Sequence, residues 1–191
     1  MIKHTIPTSN YSVGRSGYKP EAFVIHIQQG TQIGTISHFK DPTTQVSSHI
    51  AVSKVGGVDK FVEEVDIAYH AGRWNMPIWA GMKKNIWGGY INANYYTIGI
   101  ECEGFRGDIW TEAQMTALVE YVKMKAGEYG IPLNRRNIIS HNEITADKED
   151  MRSWCDEIVK RVNQATAPIS TPKQEIVALL EKTLKIAKEN L

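Results

Sequence analysis

Residues 96–104 read YTIGIECEG, and residues 111–122, close behind, read TEAQMTALVEYV. The first run is short, apolar and β-branched, the composition of a central strand covered on both faces. The second predicts the clearest helix of the chain. Thr111 stands where an N-cap belongs, Gln114 follows at the capping-box spacing, and Met115, Leu118, Val119 and Val122 recur at helical intervals. The Gly130–Pro132 signal predicts its end. A buried strand and an amphipathic helix each need a partner layer, so the pair points to an α/β domain.

Working outward, AFVIHI (22–27) and NIIS (137–140) read as two further strands, the second delivering His141 at its end. IGTISHF (33–39) predicts a short helix leading into the DPTTQ turn. SSHIAVS (47–53) reads as a strand, and the glycine pair at 56–57 suggests a hairpin into KFVEEV (60–65). Residues 70–94, rich in Gly, Trp and Asn with no period, predict a long ordered loop, the kind of segment that often carries function. Residues 152–163 read as helical.

The expected architecture is therefore one α/β domain, residues 1–164, with a central mixed β-sheet flanked by helices. Residues 165–173 hold two prolines among small polar residues and read as a linker. Residues 174–191 predict a C-terminal helix whose apolar face, Ile176, Leu179, Leu180 and Leu184, needs a partner. Docking on the domain, pairing with a second copy in a homo-oligomer, and being the stub of a removed wall-binding domain all remain open for it.

At 191 residues, 42% hydrophobic and 23% charged, the composition is globular. The net charge of +1 gives no electrostatic case for nucleic acid or an anionic membrane. No apolar stretch approaches the ~20 residues of a membrane span. The N-terminus lacks the apolar middle of a secretory signal, so the chain is expected to be made as a cytosolic protein or to be a mature form without its leader. Two cysteines, Cys102 and Cys155, do not make a disulfide framework.

The run SHNEITADKED (140–150) poses the chemical question. His26 and His141 each end a β-like run, and strand ends share one edge of a sheet, so their imidazoles can converge. Catalytic zinc takes three protein ligands and keeps one position open. Asp147, Glu149 or Asp150 would supply the third, and spacing by itself does not choose among them.

VIHIQQG, SSHIAVS, DIAYHAG, N-x-x-TIGIECEG, WTEAQMTALVEYV, YGIP and SHNEITADKED together, in this order, resemble the zinc-dependent N-acetylmuramoyl-L-alanine amidases of the amidase-2 family, which includes phage endolysins, bacterial autolysins and peptidoglycan recognition proteins. The resemblance covers roughly residues 20–160. It implies zinc held by His26, His141 and Asp150, Glu101 as general base and Lys148 as oxyanion stabiliser. It also implies a peptidoglycan substrate cut between N-acetylmuramic acid and L-alanine, as by an endolysin or autolysin that stays cytoplasmic until release. His70 and His49 would line the substrate cleft, with Asn94 and Trp74 among the asparagines and aromatics that suit peptide stems and sugars.

One departure from the family pattern concerns the third ligand. Asp150 is followed by Met151 and Arg152 instead of the family's proline turn, so the nearby Cys155, a softer ligand, competes for that position. Two rival functions stand beside the amidase: a recognition module that binds peptidoglycan without cutting it, and a zinc peptidase acting within the stem peptide.

Overall fold

The computed structural model describes residues 2–164. The predicted linker and C-terminal helix, with the oligomerisation expected of that helix, lie outside them. Strands β1 (Ile2–Thr5), β3 (Ala22–Ile27), β4 (Ile50–Val52), β5 (Val58–Lys60), β7 (Thr97–Cys102) and β8 (Ile138–Ser140) form one six-stranded sheet in the order β1-β5-β4-β7-β3-β8. Its pairings are parallel except β4 with β5, so the sheet is mixed as expected. Strands β2 (Tyr11–Ser12) and β6 (Ile67–Ala68) make a separate antiparallel pair. Helices α1 (Gln32–Lys40), α2 (Glu112–Tyr129) and α3 (Arg152–Asn163) complete the domain. No helix among the described residues is long and apolar enough to cross a membrane.

Side chains alternate across a strand, and here the alternation separates structure from chemistry. Phe23 and Ile25 of β3, Ile50 and Val52 of β4, and Ile98, Ile100 and Cys102 of β7 pack with Leu118 and Val122 of α2 and Trp154 and Ile158 of α3 in one core. The other face carries Ala22 and Val24, covered by Trp79, Tyr96 and Ile144 from the long loops, and Ala51, covered by Phe39 of α1. By the same alternation His26, Gly99 and Glu101 sit on that second face. The parallel register then sets His26 directly beside Glu101.

Local signals explain the helices. Thr111 accepts a hydrogen bond from the Gln114 amide at 3.1 Å, and Gly130 ends α2 in the left-handed region at φ 67°. Only half of the expected capping box forms. The Gln114 side chain is buried and donates instead to the carbonyls of Val52 and Glu103, tying α2 to the ends of β4 and β7. The hairpin through Gly56 and Gly57 forms, but its second strand is Val58–Lys60, earlier than the KFVEEV run. A Cβ on Gly56 would lie 2.8 Å from the Ala113 carbonyl oxygen, and its φ is +79°. That turn therefore requires glycine.

Candidate active site

A cleft of about 660 Å³ opens at the C-terminal ends of β3 and β7 and is lined by His26, His70, Asn94, Glu101, His141 and Lys148, among others. Four of these were expected as metal-binding or catalytic residues and two as substrate contacts. They come from distant parts of the chain. His26 is the penultimate residue of β3, Glu101 stands beside it on β7, and His141 and Lys148 belong to the turn after β8.

The rings of His26 and His141 lie 4.3 Å apart between centroids. The His141 Nε2 is 3.1 Å from the Ala71 carbonyl oxygen, which can only accept, so Nε2 carries the proton and Nδ1 keeps its lone pair. The His26 Nδ1 stands 3.9 Å from Glu101 Oε1, beyond hydrogen-bond range. Burial lowers the His141 pKa to about 4, against the bond to Ala71, and it holds His26 well below the ordinary imidazole value. Both rings are thus neutral, the form that ligates metal.

Glu101 is partly buried, and its Oε2 is a buried atom lacking any hydrogen-bond partner among the described residues. Desolvation pushes its pKa up to about 7, opposed by the positive charge of Lys148. An ionisable group tuned to neutrality and aimed into a cleft beside two free imidazole nitrogens is the composition expected of a hydrolytic site.

The third expected metal ligand stands apart. Asp150 is about half exposed, and its carboxylate is gripped by Arg152, with Nε 2.8 and 2.9 Å from its two oxygens. That pairing lowers its pKa to about 2. It faces an adjoining groove shared with Trp110 and Trp154. Among the described residues no three His, Cys, Asp or Glu side chains share a focus that fits one ion. Ser140, which precedes His141, accepts from the Met151 amide at 2.8 Å and lies 3.4 Å from the Glu149 carbonyl, so Asp150 is pinned next to the root of His141. Two neutral imidazoles with unengaged Nδ1 atoms fit zinc, whereas the Asp150 carboxylate is engaged by Arg152. Cys155 is buried in the core between α2, α3 and the sheet, its thiol pKa raised by burial, and does not line the cleft.

The expected substrate contacts divide. His49 is completely buried behind the cleft. Its Nδ1 accepts from the Gly99 amide at 2.9 Å, and its Nε2 is 2.8 Å from the Arg15 guanidinium. It braces β4 against β7 and has no surface to offer a ligand. His70 lines the cleft, but both of its ring nitrogens are engaged, at 3.2 Å from His26 Nε2 and 3.2 Å from Thr97 Oγ1. Asn94 uses its carboxamide oxygen on the amides of His70 and Ala71 at 3.2 and 2.7 Å. Trp74 is 42% exposed and packs edge-on against Tyr90, outside the cleft lining.

Sequence reasoning missed Arg15, Thr97 and Gly99. Arg15 is buried and donates to the backbone carbonyls of Glu64, Asn94, Tyr95 and Thr97, knitting the loop before β7 to the N-terminal segment. Desolvation lowers its pKa to about 10, which leaves it charged. A signal for the other two was present. Thr97, Gly99 and Glu101 alternate with Ile98, Ile100 and Cys102, a period-two small-and-polar face inside an otherwise apolar strand.

Comparison with known proteins identifies the family and the fold. The family profile described as N-acetylmuramoyl-L-alanine amidase (Amidase_2) matches residues 16–155. N-acetylmuramoyl-L-alanine amidase A of Achromobacter lyticus is 31% identical over 127 residues, which cover 65% of this chain and 60% of that protein. This chain thus aligns with about 60% of the length of that relative. Among solved structures, a selenomethionine derivative of AmpD superposes with a TM-score of 0.63 at 18% identity, covering 81% of this chain and 93% of that one. A mutant endolysin from Bacillus subtilis gives 0.60 at 18% identity, covering 85% and 99%. The amidase AmiD from E. coli, solved with an anhydro-N-acetylmuramic acid peptide, gives 0.58 at 22% identity, covering 75% and 59%. These likenesses establish the fold, and the profile match over residues 16–155 establishes the kinship: the chain belongs to the N-acetylmuramoyl-L-alanine amidase family, Amidase_2.

Proposed function

We propose that the protein is a zinc-dependent peptidoglycan hydrolase, of endolysin or autolysin type, that cleaves the amide between the lactyl group of N-acetylmuramic acid and L-alanine. The observation that carries this reading is the meeting of the His26 and His141 rings, 4.3 Å apart between centroids, with the partnerless Oε2 of Glu101 in the lining of one cleft. The family membership and the amidase names of the relatives supply the substrate class.

In this reading His26, His141 and Asp150 hold zinc, which when bound supplies Lewis acidity toward water and the scissile carbonyl. Ionised Glu101 takes the proton of the attacking water and returns it to the departing amine nitrogen, which must leave as a neutral amine. Its raised pKa suits both halves of that transfer near neutral pH. Lys148 places a positive charge across the cleft, where the carbonyl oxygen becomes an oxyanion. We assign Asn94 Nδ2, which has no partner among the described residues, to a carbonyl of the peptide stem. Trp74, 42% exposed beyond the cleft lining, offers an aromatic surface to a sugar ring. His70 acts from within the wall of the cleft.

Digestion of purified cell walls tests this reading. New L-alanine amino termini should appear with zinc-loaded protein and vanish on chelation. Wall binding with zinc bound and no new termini would replace the enzyme with a recognition module. Fragments that begin at other stem residues would identify a peptidase.

A further inference from the structure

The hydrogen bonds behind His26 form a chain whose direction is set at one end by a backbone carbonyl. Thr97 Oγ1 lies 2.7 Å from the Ala93 carbonyl oxygen. Two oxygens at that separation need a hydrogen between them, and the carbonyl has none to give. The threonine hydroxyl therefore donates to Ala93, and its single proton is used. His70 Nε2, 3.2 Å from the same Oγ1, then faces only oxygen lone pairs and must itself be the donor. A neutral imidazole carries one N–H, so His70 Nδ1 is an acceptor. His26 Nε2, 3.2 Å from that Nδ1, must then carry its own ring's proton. By elimination His26 Nδ1 is left bare, on the side of the ring that faces Glu101.

We infer that Thr97 and His70 are positioning residues: the relay Ala93 carbonyl, Thr97 hydroxyl, His70, His26 locks His26 as the Nε2–H tautomer and presents its Nδ1 lone pair to the cleft. Two features show that the relay is built in. The His70 amide and its neighbour are held by the Asn94 carboxamide, which fixes where the ring starts. The ring itself occupies space that any side chain on Gly99 would fill, since a Cβ there would lie 2.3 Å from His70 Cγ. His141 reaches the same state independently, through the Ala71 carbonyl. Both imidazoles therefore offer Nδ1 before any ion arrives, and metal capture needs no tautomer exchange.

The inference rests on the zinc reading only for the use made of the lone pair, and the tautomers are read without metal. Nitrogen-detected NMR of histidine-labelled, metal-free wild-type protein should show His26 and His70 protonated at Nε2 and bare at Nδ1. Thr97→Val keeps the shape and removes the hydroxyl. It should convert His70 to a mixture of tautomers and weaken zinc binding about tenfold, within the 10- to 100-fold range for residues that orient metal ligands. Thr97→Ser should restore both. A merely structural threonine would change the melting temperature and leave the nitrogen shifts alone. Wild-type His26 protonated at Nδ1 would overturn the inference, as would T97V protein with unchanged tautomers and zinc affinity. The predicted tautomers without zinc uptake would instead support the relay and remove the hydrolase reading.

Discussion

Gly99→Ala is the most direct probe of how tightly the cleft is built. The Cβ would sit 2.3, 2.6 and 2.7 Å from Cγ, Cδ2 and Nδ1 of His70, where ordinary contact begins near 3.4 Å, so the ring has to move by about 1 Å. It cannot do so freely, because both nitrogens are bonded and its backbone is held by Asn94. Overpacking of this kind costs about 1–3 kcal/mol. Breaking the two ring bonds adds about 1 kcal/mol each. Loss of glycine's unfolded-state freedom acts in the opposite direction by roughly 0.4–1 kcal/mol. The net expectation is roughly 2–4 kcal/mol of destabilisation, a fall of about 5–15 °C in melting temperature for a domain of this size. Thermal unfolding followed by circular dichroism, in the wild-type background and with His70→Ala, separates the causes. With the ring removed the alanine should cost nothing or stabilise slightly. An unchanged melting temperature for G99A, or an equal loss in both backgrounds, would refute the steric account.

Glu101→Gln keeps size and hydrogen-bonding capacity but cannot accept a proton, so wall digestion should fall by about 10²–10⁴-fold while zinc content stays at the wild-type level; near-normal turnover would remove Glu101 as base. Arg152→Ala releases the Asp150 carboxylate from its ion pair, so zinc affinity by competitive chelator titration should hold or rise, whereas Asp150→Ala should lower it sharply. The pH dependence of metal-free stability has a definite sign. His141, with a folded pKa near 4 against about 6.5 unfolded, binds its proton more readily in the unfolded chain, so its contribution is complete above about 6.5 and is lost as pH falls toward 4. His26, His49 and His70 shift in the same direction. Glu101, raised from 4.5 to about 7, works oppositely and favours the folded state as pH falls through that window. Four groups against one predict a lower urea midpoint at pH 5 than at pH 7.5, and a larger drop still in E101Q.

Much of the architecture was legible one element at a time. Strands β3, β7 and β8 announce themselves as apolar runs because they are covered on both faces, and α2 does so through its cap, its stripe and Gly130. Strand β1 was not legible, because it is an edge strand with every residue exposed and no hydrophobic pattern. Strand β6 has only two residues, too few to show a period.

The sequence by itself determined which residue types stood at the ends of the apolar runs, and hence that His26 and His141 were candidates for chemistry, while Glu101 was named by the family resemblance. That information is local, written in alternation and in the apolar runs that end at polar residues. Only the tertiary structure decided their partners. The parallel register of β3 against β7 puts His26 beside Glu101, and the return of the 141–151 turn onto Ser140 brings Asp150 near His141. The packing of Gly99 against His70 and the direction of the bonds from Ala93 to His26 fix the orientation of a ring. The longest of these pairings, His26 with Glu101, joins residues 75 positions apart, and no local pattern encodes a partner that distant. They exist because burial removes water, and each buried polar atom must then find its partner within the protein.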